Sequence, residues 1–352
     1  MNPRLERLHI LLEKKHLDGI LISHQPNITY LTGFLSSDSY LLVSPKQNFF
    51  ITDSRYCQQA RSFLRNSNIK LGGKSVFKTI AMLAKSKKIK RLGFEARNLD
   101  VAQYRQIKKH LHPIGFISTY GLIVEEMRNT KGPEELTKIK KAIRITIQAL
   151  RYAKRIIKPG LKEIEIAAQL ERFIRNKGAR TTSFETIVAS GENSSFPHHL
   201  TSNRKIKKQD SLFIDIGVDY QGYKSDLTRT YFLGRIPSKI SRAYEIVRQA
   251  QAQAINRIKP GVRFCEIDKC ARQHIAEHGY GGFFAHNLGH GIGLEIHEPP
   301  FISAKNKTTI EIGMVFTVEP GIYVPNRFGI RIEDDVVVTK SGCEVLSGDL
   351  HK

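Results

Sequence analysis

At 352 residues the chain is long enough for two domains with separate cores, and its 40% hydrophobic and 25% charged residues are those of an ordinary globular protein. The charged start MNPRLERLHILLEKKHLDG lacks the apolar core of a signal peptide, and no run reaches the roughly 18 apolar residues of a membrane span, so the expectation is a cytoplasmic protein with no membrane partner. The net charge of +23 is spread along the chain, as in KSKKIKR (85–91) and NRKIKKQD (203–210), without interleaved aromatics; it reads as a basic solvated surface with salt-sensitive affinity for polyanions, not as a specific nucleic-acid site.

In chain order, residues 4–17 are patterned as an amphipathic helix and DGILIS (18–23) as a strand. YLLVSPKQNFFITD (40–53) follows as two apolar runs around a turn, and a further helix–strand alternation ends near LGFEA (92–96). These make a compact α/β unit, in which Tyr30 and Arg55 are candidates either for a subunit contact or for local capping. In MRNTKGPEELTKIKKA (127–142), Asn, Gly and Pro break the pattern, and Pro133 sits where a helix begins. The domains are therefore expected at 1–128 and 133–352. Cys57, Cys265, Cys270 and Cys343 are scattered and read as reduced thiols.

The second domain repeats itself. KPGLKEIEIAAQLERFIRNKG begins at Lys158 and KPGVRFCEIDKCARQHIAEHG at Lys259; an offset of 101 also aligns Glu165 with Glu266, Ile166 with Ile267 and Gly178 with Gly279. Helical stretches (134–157 and 238–258) precede both copies, and strand pairs carrying acids follow. Two similar αα–β halves around a cleft are expected. His274 and His278 fall on the second repeat helix as surface residues.

In SLFIDIGVDYQGYKSDLTRTYFLG (211–234), pairing Val218 with Tyr223 around the loop DYQG sets Asp215 opposite Asp226. In GMVFTVEPGIYVPNRFGIRIEDDVVV (313–338), pairing Val324 with Phe328 across PNR sets Glu319 opposite Glu333. Facing carboxylates repel unless a cation lies between them, and four that converge suit one hard divalent ion, or two sharing bridging oxygens. HNLGHGIGLEIHEPP (286–300) cannot be a phosphate loop, because no helix follows its glycines. Its glycines let the backbone bend around His290. One imidazole with four carboxylates favours Mn²⁺, Co²⁺, Fe²⁺ or Zn²⁺ over Ca²⁺. His297, seven residues on, lies beside His290 only if the chain bends; no HExxH spacing is present.

Asp215, Asp226 eleven positions on, then His290, Glu319 and Glu333, resemble in this order the five-ligand signature of the pita-bread metallopeptidases: methionine aminopeptidases, aminopeptidase P and prolidases. The matching stretches are IDIGVDYQGYKSDLTRT, HNLGHGIGLEIHEPP, TVEPGIY and GIRIEDDVVV. SGENSSFPHH resembles the loop that delivers a histidine, which makes His198 the match, with His199 its bystander. YLTGF and ITDSRY are similar to the creatinase-type domain of the Xaa-Pro branch. The resemblance implies an α+β protein, with a creatinase-like α/β N-terminal domain before a pita-bread catalytic domain of pseudo-two-fold repeat. It implies two divalent ions per subunit, Mn²⁺ first, with Co²⁺, Zn²⁺ and Fe²⁺ as alternatives. Asp226 and Glu333 would bridge them, Asp215 would complete one shell, and His290 with Glu319 the other. Glu319 would also carry a proton, His198 and His297 would hold substrate, and Tyr323, Arg331 and His286 would support the ligands or the substrate. The implied activity is a Xaa-Pro aminopeptidase acting on proline-containing peptides as a homodimer. One alternative is a prolidase restricted to Xaa-Pro dipeptides, in which Arg327 captures the carboxylate; another is a non-catalytic basic nucleic-acid or peptide-binding protein on the same fold.

Overall fold

A computed structural model describes residues 2–64, 67–119 and 123–352. The chain divides into two units, Met1–Arg128 and Asn129–Lys352. The first contains α1 (Pro3–Lys14), β1 (Gly19–Ile22), α2 (Gln25–Thr32), β2 (Ser39–Ser44), β3 (Gln47–Thr52), α3 (Ser54–Phe63), β4 (Asn68–Leu71), α4 (Val76–Ser86), β5 (Arg91–Phe94), α5 (Val101–Leu111), β6 (Gly115–Ser118) and α6 (Ile123–Arg128). Its sheet runs β4-β3-β2-β1-β5-β6, and only β2 is antiparallel to its neighbours. Leu21, Leu42, Phe49, Ile51 and Leu92 pack against Ile80, Ala81 and Ala84 of α4 and Ile107 and Leu111 of α5. The alternate residues Ile20, Ile22, Leu41, Val43 and Phe50 are equally buried, so both faces of the sheet are covered, which explains the continuous apolar runs. Tyr30 is buried and its hydroxyl donates to Met127 O at 3.1 Å, whereas Arg55 is exposed and pairs with Asp38 and Asp53.

The second unit contains α7 (Pro133–Ile156), α8 (Glu163–Asn176), β7 (Thr181–Thr182), β8 (Ile187–Ser190), β9 (Ser211–Ile216), β10 (Val218–Tyr220), β11 (Tyr223–Lys224), β12 (Leu227–Phe232), α9 (Ser238–Arg257), α10 (Phe264–Glu277), β13 (Gly289–Gly291), β14 (Glu298–Ile302), β15 (Val315–Val318), β16 (Gly321–Val324), β17 (Phe328–Arg331), β18 (Asp334–Val338) and β19 (Cys343–Val345). Pro133 opens α7 at its first turn, and the Glu135 carboxylate accepts from Gly132 N at 3.0 Å, so the fixed proline φ and one satisfied amide start the helix together.

The repeat is structural. α8 and α10 both have 14 residues, lie 101 apart, and end before a left-handed glycine, Gly178 (φ 92) and Gly279 (φ 83). Even their entry bonds match: Glu163 N donates to Arg204 O and Phe264 N to Thr308 O, both at 3.1 Å. Around α9 and α10 a core forms from Val247, Ala250, Phe264 and Ile267 against Phe316, Val318, Ile330 and Val336 of the β15–β18 hairpin. Each half thus presents a packed hairpin whose outward-turned residues are free for chemistry.

The first hairpin departs from the expected register. Tyr220 pairs with Tyr223 and Asp219 with Lys224, so Asp215 stands opposite Thr228, not Asp226. Asp219 looks like a turn residue but is a buried strand residue, paired with Lys224 and Arg180. The turn therefore shrinks to Gln221–Gly222, both at positive φ (52 and 89), as a tight hairpin turn requires. A slip of two residues preserves the faces, so Asp215 and Asp226 still share one, now as diagonal neighbours. The second hairpin pairs Val324 with Phe328 as expected, and β15–β18 continues the same register through Val318 and Asp334. Glu319 and Glu333 face each other in the gap between these two ladders.

Candidate metal centre

Asp226, His290 and Glu333 are buried, and each offers a ligand atom within 4.8 Å of the others'. They come from the β11–β12 segment, from β13 and from the β17–β18 junction. Asp215 and Glu319 flank this trio. His290 Nε2 lies 3.2 Å from Glu319 Oε1 and 3.5 Å from Asp226 Oδ2. Thr317 Oγ1 accepts from His290 N and donates to Glu319 Oε1, both at 3.1 Å. Thr228 Oγ1 donates to Glu333 Oε2 at 2.7 Å, and Asp335 Oδ2 accepts from Asp226 N at 3.2 Å. These hydroxyls were not singled out from the sequence. Their signal was present: Thr228 lies two residues after Asp226 and Thr317 two before Glu319, and on a strand that spacing shares a face.

Arg331 organises the other side. Its guanidinium pairs with Asp215 Oδ2 and donates to Tyr323 Oη at 2.8 Å, Thr228 Oγ1 at 3.0 Å and Pro197 O at 3.0 Å, while lying 4.4 Å from the Phe213 ring centre. Pro197 is thereby fixed beside His198, which is exposed and lines the cavity. His199 Nε2 instead meets Glu163 Oε2 at 2.9 Å. Glu163 is a buried hub that also accepts from Ser190 and Ser202, a role no sequence signal marked. His286 Nε2 sits 3.1 Å from Tyr323 Oη. The chain bends over 293–297, and the His297 ring returns to 4.2 Å from that of His290.

The electrostatics call for a cation. Burial first, and then the facing Glu333 carboxylate, pushes the Asp226 pKa well above its ordinary value; burial, then Glu319 and Asp215, does the same to Glu333. Burial works against charging the His290–Glu319 pair, but their hydrogen bond and mutual attraction outweigh it, so His290 rises and Glu319 falls to about 2. Burial and the neighbouring His290 lower His297 to about 4, burial lowers His286, and burial raises Tyr323 to about 12. Asp215 Oδ1, Asp226 Oδ1 and Glu333 Oε1 are buried with no hydrogen-bond partner. Orphaned carboxylate oxygens are costly in a protein interior, and divalent ions are the partners that suit them. The donor set fits such ions.

The cavity beside this cluster measures about 410 Å³ and includes Phe184, Ile187, Leu200, Ile296 and Phe301 in its lining. Arg331 is the one lysine or arginine among the described residues lining it, and Arg327 stands in the exposed turn after Val324, outside the lining. Capture of a carboxylate by Arg327 therefore has no support in its position: Arg327 is exposed and does not line the cavity.

Residues 137–340 match metallopeptidase family M24, and residues 4–130 match the creatinase/prolidase N-terminal domain. A Xaa-Pro dipeptidase of Pyrococcus horikoshii is 36% identical over 99% of this chain and 97% of its own length. The solved Xaa-Pro dipeptidase from Bacillus anthracis superposes with a TM-score of 0.95 at 39% identity, covering 98% of this chain and 97% of that one. An X-Pro aminopeptidase from Thermotoga maritima gives 0.89 at 38% identity, covering 97% of both chains.

Proposed function

The chain belongs to metallopeptidase family M24, and from that premise we propose that it removes an N-terminal residue that precedes proline. In this reading residues 1–128 form the creatinase-like domain and 133–352 the catalytic domain. Asp215, Asp226, His290, Glu319 and Glu333 would hold two divalent ions. The observation that carries this is the meeting of buried Asp226, His290 and Glu333, with ligand atoms within 4.8 Å of one another, beside partnerless buried carboxylate oxygens on Asp215, Asp226 and Glu333. The mixed nitrogen and oxygen donor set suits Mn²⁺, Co²⁺, Zn²⁺ or Fe²⁺, and Mn²⁺ is placed first because four of the five donors are carboxylates.

The chemistry the ions supply when bound is a water acidified towards neutral pH and a polarised scissile carbonyl. Glu319 would accept the proton of the attacking water and pass it to the leaving proline nitrogen. His297, kept neutral by its low pKa, donates an N–H to the substrate carbonyl, and His198 holds the substrate from the facing loop. Tyr323 and Arg331 fix Asp215 and the His198 loop, and His286 supports Tyr323.

A dipeptide ends in a carboxylate directly after proline. Arg331, the one guanidinium lining the cavity among the described residues, is engaged with Asp215, Tyr323, Thr228 and Pro197, which supports peptides that continue beyond proline. Relatives named Xaa-Pro dipeptidase support the second reading, a prolidase. With Mn²⁺ supplied, hydrolysis of Xaa-Pro-Yaa-Yaa should match or exceed that of Xaa-Pro; activity confined to the dipeptide would replace the first reading by the second. A cytoplasmic homodimer completes the proposal. For the pairing it rests on the likeness of residues 4–130 to the creatinase/prolidase N-terminal domain; among the described residues no helix is long and apolar enough to cross a membrane.

A further inference from the structure

Lys131 and Glu298 form an ion pair of 2.9 Å, with side chains only 1% and 2% exposed. Taking two charges out of water costs several kcal/mol per ion, and an apolar pair of similar volume fills an interior as well, so packing alone does not account for it. Its place in the chain does. Glu298 directly follows His297 and opens β14. Glu298 Oε2 accepts from Glu295 N at 3.3 Å, and Gly293 N donates to Glu295 O at 3.1 Å. A Cβ on Gly293 would collide with Glu298 Oε1, so the backbone wraps closely around this carboxylate. Lys224 N, two residues before Asp226, donates to Gly293 O at 2.8 Å and closes the bend from its far end.

Lys131 is anchored independently. Its N–H donates to Gly313 O at 2.9 Å, and Thr130 bridges Met314, the segment that leads into β15 and on to Thr317 and Glu319. Lys131 thus joins the entry to α7, through its backbone the entry to β15, and through its ammonium the bend that returns His297 to His290. Neither Lys131 nor Glu298 lines the cavity.

We propose that Lys131 and Glu298 are positioning residues for His297, the pair fixing the 293–297 bend so that the imidazole stands where substrate is held. This rests on the assignment of His297 to substrate made above. A histidine displaced by about 1 Å loses on the order of a hundredfold in rate, so the bend requires a rigid internal support.

The test is a double-mutant cycle in the metal-loaded full chain. Replacing both charges, Lys131→Met with Glu298→Leu, leaves no stranded ion. This variant is expected to keep its metal content and unfolding temperature. On an Xaa-Pro peptide its kcat/KM should fall roughly 10- to 100-fold, divided between kcat and KM in the same proportion as for His297→Ala. Adding His297→Ala to it should then cost less than about threefold more. Should the double variant fail to fold, Lys131→Met with Glu298→Gln, which strands no ion and keeps an acceptor for Glu295 N, enters the same cycle with the same expectation. Full activity in the charge-free variant overturns the proposal, as do losses that multiply independently with His297→Ala. Full activity of His297→Ala in the parent chain overturns instead the assignment of His297, a separate failure.

Discussion

Asp226 and Glu333 are acids whose pKa values are raised in the folded chain, by burial first and by neighbouring carboxylates second. The folded form therefore holds their protons more tightly than the unfolded form, whose ordinary values are 3.8 and 4.5. Stability from this source is full below those values and is lost as pH rises through the elevated ones. Urea unfolding of chelator-treated protein should show stability falling from pH 5 to 8, less steeply in Asp226→Asn, and saturating Mn²⁺ should remove the decline. A chelated protein whose stability is flat or rising across that range, with no difference in the variant, would contradict it. Thr228 and Thr317 act one layer out, by orienting Glu333 and Glu319. Thr228→Val or Thr317→Val should weaken metal affinity about 10- to 100-fold while the fold persists, measured by competition with a chromogenic chelator.

At the scale of elements, the matched helices α8 and α10 give a paired prediction. Gly178 and Gly279 end them in a left-handed conformation, with no neighbour within 4 Å of an added Cβ. Gly178→Ala and Gly279→Ala should each cost about 1 kcal/mol through backbone strain alone. Their effects on urea unfolding should add, since the two sites share no partner. This repeat was legible because Lys-Pro-Gly, the helical pattern and the glycine stop recur at one offset. The Glu319–Glu333 hairpin was legible because PNR leaves little freedom in turn length. The first hairpin was misread by two residues because Asp219 has turn chemistry locally and strand burial globally; only Lys224 and Arg180, brought close by folding, decide between them. The Glu163 hub and the Lys131–Glu298 pair were invisible for the same reason, being contacts between segments 27 to 167 positions apart. Local patterning gave the faces on which the acids lie, and tertiary partners set which of them meet.

For the whole molecule, the charge of +23 stands apart from the acidic cluster. A distributed basic surface binds polyanions by releasing counterions, so retention on immobilised DNA should fall by orders of magnitude between about 50 and 200 mM salt. Metal chelation should leave that retention unchanged. Retention at physiological salt would favour a binding role over the peptidase reading. The five proposed ligands are divided between the halves of the repeat: Asp215 and Asp226 precede α9, while His290, Glu319 and Glu333 follow it. Residues 233–237 join the halves as a mostly exposed connection. Cut there, the protein would become a two-component reporter, since neither fragment owns a complete coordination shell and reassociation would track the free concentration of divalent ion.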